Sequence, residues 1–493
     1  MRKILVVLGK VITAILVVML AVLLTQMAQC RMLPSELILT VGIFLAVVIG
    51  AVCWLTWTGS GKIKMVIGLV IALLTFAVLA IGIFVARRTL DTLEKISGGD
   101  TEIVHVGIYV RSDDPNDYNN MASVYCHGIL QAFDRESTDL ALQQMTEKLG
   151  VPPKYREYQR LPELVDALLA GQVDAIVLNA AYLDLLQEMV GYEDILTRLR
   201  ECELKKVEVE ILKPTQPQPT APTEVTPDEP EQSIPAFCIY FSGVDDKGPT
   251  IARTRSDTNI LAVVNPTTRQ ILLINTPRDY YVPLSISNGV PDKLTHAGVY
   301  GVNVSMDTLE MLYDINIDYY FRLNFTGFVD VIDVLGGITV YSEHEFISST
   351  PPYPFKKGEN VVDGKAALAF CRERHAFKDG DHQRGRNQMA VIQGVIRKLM
   401  SPALLTNYLD ILSAVEGSFE TSVPMELVGS IVVQQLRNGG EWNLVTYGVS
   451  GKGDSQIPYS LGKKVYVMQP DYATVEHAKE LMRKVYNGEI VQP

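Results

Sequence analysis

Ten side chains in the second half of this 493-residue sequence have the types and spacing of a polyanion site. They are Asp245, Arg255, Asp257, Arg278, Asp279, Arg372, Arg374, Asp381, Arg384 and Gln388. Five arginines drawn into one cleft repel one another unless an anion sits between them, and the planar guanidinium fork matches phosphate oxygens. Aspartates mixed among them would repel the same phosphate, so they make sense as holders of a hard divalent cation. Mg²⁺, which bridges carboxylate and phosphate oxygens, is the expected ion. Any one Arg–Asp pair reads equally well as a salt-bridged strand end. Five arginines, each beside a turn or strand end, favour a diphosphate site instead.

The elements that must carry these groups can be read from pattern. Phe237–Val244 is an apolar run that delivers Asp245 at its C-terminal end. Asn259–Val264 and Gln270–Thr276 are two more expected strands, joined by the turn-forming Asn265-Pro266-Thr267-Thr268 and followed by Pro277-Arg278-Asp279. Ala366–Cys371 reads as a further strand running into Arg372-Glu373-Arg374-His375. In extended chain Arg255 and Asp257, and likewise Arg372 and Arg374, point to one face. Asp381, Arg384 and Gln388 share a helix face, with Asp381 expected near the N-cap and Met389, Ile392, Ile396 and Leu399 forming an apolar stripe. Open α/β sheets bind ligands at the carboxyl ends of their strands, which is where these charges cluster. Cys238 and Cys371 read as buried small hydrophobes on strands, with a bridge between them a minor alternative.

Ahead of this region lie three charge-free runs, Val11–Gln29, Leu37–Gly61 and Met65–Ala86, each long enough to cross about 30 Å of hydrocarbon as a helix. A cleaved signal peptide is disfavoured for the first run, which lacks a small-x-small site and is followed at once by two more. Arg2, Lys3, Lys10, Lys62 and Lys64 mark the expected cytoplasmic ends, against Arg31, Arg87, Arg88 and Lys95 on the other side. An odd number of spans then puts the bulk of the chain outside the cell. Residues 101–212 alternate strand and helix signals, with Ile103–Val110 and Val173–Leu178 as strands and Leu161–Ala170 as a helix closed by Gly171. This α/β stretch looks like one lobe of a periplasmic solute-binding domain. Being a single lobe, it is expected to serve packing or partner binding and to be dispensable for chemistry. Cys126 and Cys202 within it are candidates for a disulfide in an oxidising exterior. Residues 213–235 hold seven prolines and almost no large apolar residue, the composition of a semi-rigid spacer. The expected organisation is therefore 1–100 membrane anchor, 101–212 lobe, 213–235 linker and 236–493 the charged α/β domain. A formal net charge of −12 argues against nucleic acid as a partner, and six cysteines without a C-x-x-C pair argue against a zinc ribbon.

Taken in order, the motifs of Phe237–Met400 resemble the catalytic domain of the LytR-CpsA-Psr family of cell-wall glycopolymer transferases, found in Gram-positive bacteria. They are Gly243-Val244-Asp245, Arg255-Ser256-Asp257-Thr258, Pro277-Arg278-Asp279, Asn324-Phe325-Thr326-Gly327-Phe328, Leu335-Gly336-Gly337, Arg372-Glu373-Arg374-His375 and Gly380-Asp381, continuing to Arg384 and Gln388. The resemblance implies an α/β/α sandwich that moves a glycopolymer from a polyprenyl-diphosphate carrier to peptidoglycan or another wall acceptor. It also implies Asp245 and Asp257 as Mg²⁺ ligands, the five arginines as the diphosphate grip, and Asp381 and Gln388 as its surround. An elongated apolar tunnel would take the lipid, with Leu309–Leu312 and Phe325–Leu335 as candidate linings.

The chemistry asks for an acceptor hydroxyl, a base for its proton, and neutralisation of the leaving phosphate. Asp279 and Asp381 are both candidate bases, and Asp279 has the alternative role of orienting Arg278; His296, His375 and His382 read as hydrogen-bonding bystanders. Two other functions remain open at this stage. One is a non-catalytic glycolipid-binding receptor, disfavoured by the metal-ligand pair; the other is a polyprenyl-diphosphate hydrolase, with water in place of the sugar hydroxyl.

Overall fold

The computed structural model describes residues 2–30, 35–57, 62–96, 101–131, 134–211, 234–244, 251–401 and 419–492. Asp245 and the proline-rich 213–233 stretch lie outside the described residues. Two compact units result, Met1–Ser97 with Val423–Glu441, and Gly98–Ser422 with Trp442–Pro493.

The first unit contains three long apolar helices, α1 (Arg2–Cys30), α2 (Ser35–Trp57) and α3 (Lys62–Ile96). Their hydrophobic segments Gly9–Gln29, Ile38–Trp57 and Ile63–Arg88 are each long enough to span a bilayer. Leu16, Leu23, Ile49, Val52 and Leu79 are buried between them, while Phe44, Val47, Leu73 and Phe84 point outward, as apolar side chains facing lipid do.

The second unit holds two large sheets and, among the described residues, four two-stranded ones. β1 (Thr101–Arg111), β2 (Cys126–Leu130), β3 (Lys154–Tyr158), β4 (Ala175–Asn179) and β5 (Leu199–Glu210) form the first, in the order β3-β2-β4-β1-β5. Helices α4 (Arg135–Leu149), α5 (Leu161–Leu169) and α6 (Ala181–Gln187) are the longer helices of this lobe, with single-turn helices at Tyr118–Met121 and Ile195–Arg198. The turn after α5 puts Gly171 at φ +70°, a left-handed conformation that glycine adopts without strain. Cys126 and Cys202 are free thiols. Their strands, β2 and β5, are separated in the sheet by β4 and β1, so the expected bridge would span about three strand spacings of ~4.8 Å, beyond disulfide reach.

The second sheet runs β10-β9-β6-β7-β8-β11, built from β6 (Phe237–Val244), β7 (Ser256–Asn265), β8 (Gln270–Asn275), β9 (Tyr319–Asn324), β10 (Phe419–Thr421) and β11 (Asn443–Gly448). Asn265 turns β7 into β8: its Oδ1 accepts from the amides of Thr267 and Thr268, both at 3.1 Å. β6 pairs antiparallel with β7 and parallel with β9, and β7 antiparallel with β8. The C-terminal ends of β6, β8 and β9 and the N-terminal end of β7 therefore meet at one edge of the sheet. Helices α7 (Val302–Tyr313) and α12 (Tyr472–Tyr486) bury Leu309, Tyr313, Val475 and Met482 against Tyr240, Leu261 and Ile274 of the sheet. The other layer is made by α8 (Phe325–Val334), α9 (Gly364–Arg372) and α10 (Asp381–Leu399). A further helix, α11 (Met425–Asn438), falls within the first unit.

Two expectations are corrected here, and the reading of Cys238 and Cys371 as buried small hydrophobes holds while the minor alternative of a bridge does not. Ala366–Cys371 is helix, not strand: Asp363 caps α9 by accepting from the Ala366 amide at 2.8 Å, and Ala367, Phe370 and Cys371 bury one face at helical spacing. A short apolar run cannot by itself separate a strand from a buried helix, and here the alanines and the cap decide. Cys238 and Cys371 sit in different cores, both as free thiols, with burial raising the pKa of Cys371 to about 12. Leu309 is core and Leu312 packs partly buried beside it, on the far side of the sheet from the charged groups, Met311 is exposed, and none of them lines the charged cavity.

The lobe, expected to be separable, is joined to the charged domain by a shared interior. Val299, Leu461, Val465 and Val467 pack into the same apolar cluster as Leu164, Tyr182, Leu185 and Leu186. A backbone hydrogen bond from the Arg253 amide to the Ile103 carbonyl, at 2.7 Å, links β1 to the segment before β7. Beside it Glu102, 1% exposed, accepts from Arg322 Nη1 at 2.5 Å and Arg253 Nε at 2.8 Å.

Candidate functional site

At the loaded edge of the larger sheet lies a cavity of about 900 Å³. The structure brings Arg255, Asp257, Arg278, Asp279, Arg372, Arg374, Asp381, Arg384 and Gln388 together in its wall. Each arrives by a different route. Arg255 and Asp257 flank the first residue of β7; Arg278 and Asp279 follow β8 after Thr276-Pro277. Arg372 ends α9, and Arg374 lies just past it in the loop.

Asp381, Arg384 and Gln388 share one face of α10, which starts at Asp381 with Gly380 as its N-cap in place of the expected aspartate. Gly385 lets that helix lie against the end of β8, since a Cβ there would fall 2.2 Å from Asn275 Nδ2. Beneath β7, Ser256 Oγ is hydrogen-bonded to Tyr240 Oη at 2.7 Å and Ser242 Oγ at 2.8 Å. Tyr240 also donates to Asn259 Oδ1 at 2.7 Å, so the backbone that carries Asp257 rests on a buried, satisfied polar network.

Charge in the cavity is arranged in pairs. Arg278 Nη1 lies 3.1 Å from Asp257 Oδ1, and its buried Nε, 3.7 Å from Asp279 Oδ2, has no hydrogen-bond partner among the described residues. Arg384 is paired with Asp381 one turn away. Burial opposes ionisation of Asp257, yet the guanidiniums of Arg278, Arg255 and Arg384 outweigh it and hold this carboxyl below its usual range. Burial lowers the pKa of Arg384, with Arg278 and Arg374 acting in the same direction. Such mutual repulsion is what a dianion placed among them would relieve. Arg372 and Arg374 are exposed at the cavity rim and meet no carboxylate among the described residues. Arg372 instead lies over the Phe325 ring, 4.6 Å from its centroid, and Arg374 Nε is 3.3 Å from His375 Nε2.

Away from the charges the wall becomes apolar. Phe241, Phe321, Leu323, Phe325, Phe328 and Ile392 line it, so of the two segments proposed for a lipid tunnel the Phe325–Leu335 stretch contributes and Leu309–Leu312 does not. Phe321 stacks on Phe419 with centroids 4.5 Å apart, extending the aromatic surface across β9 and β10. The alternation of β9 explains this face: Tyr319, Phe321 and Leu323 look one way, and the buried Tyr320, Arg322 and Asn324 the other.

Two charged residues in the wall were invisible to pattern reading. Lys293, 4% exposed, places Nζ 3.1 Å from Asp279 Oδ1 and 2.6 Å from Glu188 Oε2. Glu188 comes from the lobe, at the C-terminal cap of α6. Neither belongs to a motif with characteristic spacing, and no local signal in the sequence marks them.

The donor set fits a Mg²⁺ ion bound mainly through its substrate. No group of three or more His, Cys, Asp or Glu side chains forms a metal cage among the described residues. Asp257 is an ionised hard oxygen donor whose contacts, to Arg278 at 3.1 Å and Thr295 Oγ1 at 3.2 Å, both go to Oδ1, leaving Oδ2. One or two carboxylates completed by phosphate oxygens and water is the usual Mg²⁺ arrangement.

The model of the LytR_cpsA_psr family matches positions 204–483. A polyisoprenyl-teichoic acid–peptidoglycan teichoic acid transferase, TagU, of Bacillus subtilis (strain 168) is 34% identical over 218 residues, 44% of this chain and 69% of that protein. Its counterpart in Enterococcus faecalis (strain ATCC 700802 / V583) is 35% identical over 193 residues, 38% of this chain and 62% of its own. The crystal structure of B. subtilis TagU is 30% identical and superposes with a TM-score of 0.41, over 52% of this chain and 100% of that one.

Proposed function

The chain belongs to the LytR_cpsA_psr family, and from that premise we propose that it is a membrane-anchored phosphotransferase. It moves a glycopolymer from a polyprenyl-diphosphate carrier to a cell-wall acceptor, with peptidoglycan as the first candidate. One observation carries this reading: a single cavity with five arginines at one part of its wall and phenylalanines and aliphatic side chains at another. Such a cavity suits a ligand with a dianionic head and a hydrocarbon tail, and three membrane-length helices keep the enzyme at the bilayer that holds it. Arg2, Lys3 and Lys10 in the first part of α1, and Lys62 and Lys64 at the start of α3, support an outward placement of the domains after α3.

In the reaction, the acceptor hydroxyl oxygen bonds to the phosphorus that carries the sugar, and the bond from that phosphorus to the bridging oxygen breaks. Polyprenyl phosphate leaves, and the hydroxyl proton passes to a carboxylate, for which Asp279 and Asp381 are both placed in the cavity wall. Arg278 and Arg384, with Arg255, Arg372 and Arg374, stabilise negative charge as it gathers on the leaving phosphate. Asp257, with Asp245 as the second expected ligand, would hold Mg²⁺, which would supply further neutralisation of the diphosphate charge.

The decisive experiment gives the full chain in detergent a polyprenyl-diphosphate-linked glycopolymer with and without peptidoglycan. Covalent glycopolymer on the peptidoglycan, dependent on Mg²⁺ and abolished by EDTA, is the expected result. Polymer released into solution at the same rate with or without acceptor would identify a hydrolase. Stoichiometric retention without turnover would identify a receptor.

A further inference from the structure

The transfer site is not confined to the family domain. Glu188 belongs to the lobe, yet its carboxylate stands in the cavity wall among three cationic or basic groups from beyond the linker. Oε1 accepts from Arg255 Nη1 at 2.9 Å, Oε2 accepts from Lys293 Nζ at 2.6 Å, and the buried His296 Nε2 lies 3.9 Å from Oε2. His296 is itself fixed from its other side, with Nδ1 2.6 Å from Asp292 Oδ1 and 3.0 Å from Ser460 Oγ. That Nε2 has no hydrogen-bond partner among the described residues, so Glu188 is the nearest anion it faces.

We infer that Glu188 is a positioning residue of the transfer site, holding Arg255 and Lys293 in the orientation that grips the diphosphate, so that the lobe is a working part of the enzyme. Arg255 presents a fork with donors on more than one edge; Nη1 is engaged by Glu188 at 2.9 Å and Nη2 lies 4.0 Å from Asp184 Oδ2, beyond hydrogen-bond distance, so Glu188 removes the rotamer freedom of the long side chain without taking up every donor. Lys293, nearly buried between Glu188 and Asp279, ties Glu188 to the loop that carries Arg278. A swinging gate, in which Glu188 merely occupies the anion's place and then withdraws, fits less well. Residue 188 directly follows α6, whose Tyr182, Leu185 and Leu186 are locked in the interior shared by both parts, and the Glu102–Arg322–Arg253 cluster pins the lobe again at β1. The carboxylate is ionised in this setting: burial works against it, but His296, Lys293 and Arg255 together pull its pKa below the ordinary value.

This inference rests on the transferase reading, and its test separates the two. Full-length chain in detergent is compared with Glu188→Gln, which keeps the shape and removes the charge, and with Glu188→Asp, which keeps the charge one methylene short. Two readouts are taken: kcat and KM for transfer, and the affinity for farnesyl diphosphate, a short probe of the diphosphate grip, by calorimetry. Glu188→Gln is expected to weaken probe binding and to lower kcat/KM by about 10- to 100-fold, since displacement of a gripping group by about 1 Å has that effect. Glu188→Asp should recover part of both losses. In an Arg255→Ala background Glu188→Gln should cost less than in the wild type, because the part of its effect that passes through Arg255 is already gone and only the part through Lys293 remains. Tighter probe binding or faster transfer in Glu188→Gln would make Glu188 a competitor of the substrate and overturn the proposal; so would unchanged constants in a variant with wild-type melting. If the wild type transfers nothing but Glu188→Gln still loses farnesyl diphosphate, the transferase reading falls and the role of Glu188 stands.

Discussion

Replacing Arg372 and Arg374 together by alanine is expected to lower transfer by at least about 100-fold and to leave the fold intact. Loss of one preorganised charge-stabilising donor commonly costs 10²–10³ in turnover, and in the proposed reaction these two arginines face the same developing charge. Their independence from the fold is what makes the pair informative. Both are exposed, one resting on the Phe325 ring and the other beside His375, and neither is matched to a carboxylate among the described residues. Surface substitutions of this kind change stability by about 0.5 kcal/mol or less. Arg278 makes a poorer test, because removing it strands the half-buried Asp257 carboxylate and confuses a catalytic loss with a structural one. Initial rates of glycopolymer attachment to peptidoglycan, read beside thermal melting in the same detergent, check the expectation. Near-wild-type transfer by the double variant would remove these arginines from the site.

How far the sequence could be read depended on the range of the interactions involved. β6 was readable to the residue and β8 to within one, because continuous apolar runs bounded by turn residues mark buried strands, whereas β7 starts three residues before the expected Asn259, where polar Ser256, Asp257 and Thr258 break the apolar pattern. The shared face of Asp381, Arg384 and Gln388 was readable from helical spacing alone. α9 was not, because Ala366–Cys371 carries the same short apolar pattern as a strand and the deciding signal, the Asp363 cap, lies three residues upstream of it. Misreading α9 did not displace Arg372 and Arg374 from the cavity, since either element ends at the same place. The lining segments divided for a similar reason: Leu309 and Phe325 are equally apolar, and which side of the sheet each helix packs on is a property of topology.

The docking of the lobe was beyond local reading altogether. Arg255 and Glu188 are separated by 67 positions, with the proline-rich stretch between them, and Glu102 and Arg322 by 220. A proline-rich spacer and a complete-looking α/β pattern on each side of it both argue for independent parts. What overrides them is the pairing of buried charges, and a lone Glu102 in a β-strand gives no warning of its partners. The expectation that residues 101–212 can be deleted without affecting chemistry is therefore reversed: the deletion removes Glu102 and Glu188 together and strands the arginines they meet.

That dependence leads to the largest expected stability effect. Glu102→Ala should destabilise the second unit by about 3–5 kcal/mol, the range for breaking a buried ion pair by removing one partner. Glu102 is 1% exposed and Arg322 2%; Arg322 also donates to the Ala252 carbonyl at 3.1 Å and Glu420 Oε2 at 3.0 Å. Arg253 has Glu102 at 2.8 Å and, more distantly, Asp134 at 3.9 Å. Without Glu102 two guanidiniums remain out of water with one half-buried carboxylate and one distant one between them. The pH dependence has a definite sign. Burial raises the pKa of Glu102, but Arg322 and Arg253 outweigh it and bring the folded-state value below the ordinary 4.5. A carboxyl depressed on folding contributes stability in full above its unfolded value and loses it as pH falls through the folded one. Asp134 and Glu420, both raised by burial, have the opposite sign and mask this in the wild type alone. They are present in both proteins when wild type is compared with Glu102→Gln, and because the Glu102 charge raises both of them, the difference reports Glu102 together with its coupling to these two. Denaturant midpoints should differ most above pH 4.5 and converge as the pH drops below it. A gap that stayed constant across that range would show that Glu102 acts by shape and not by charge.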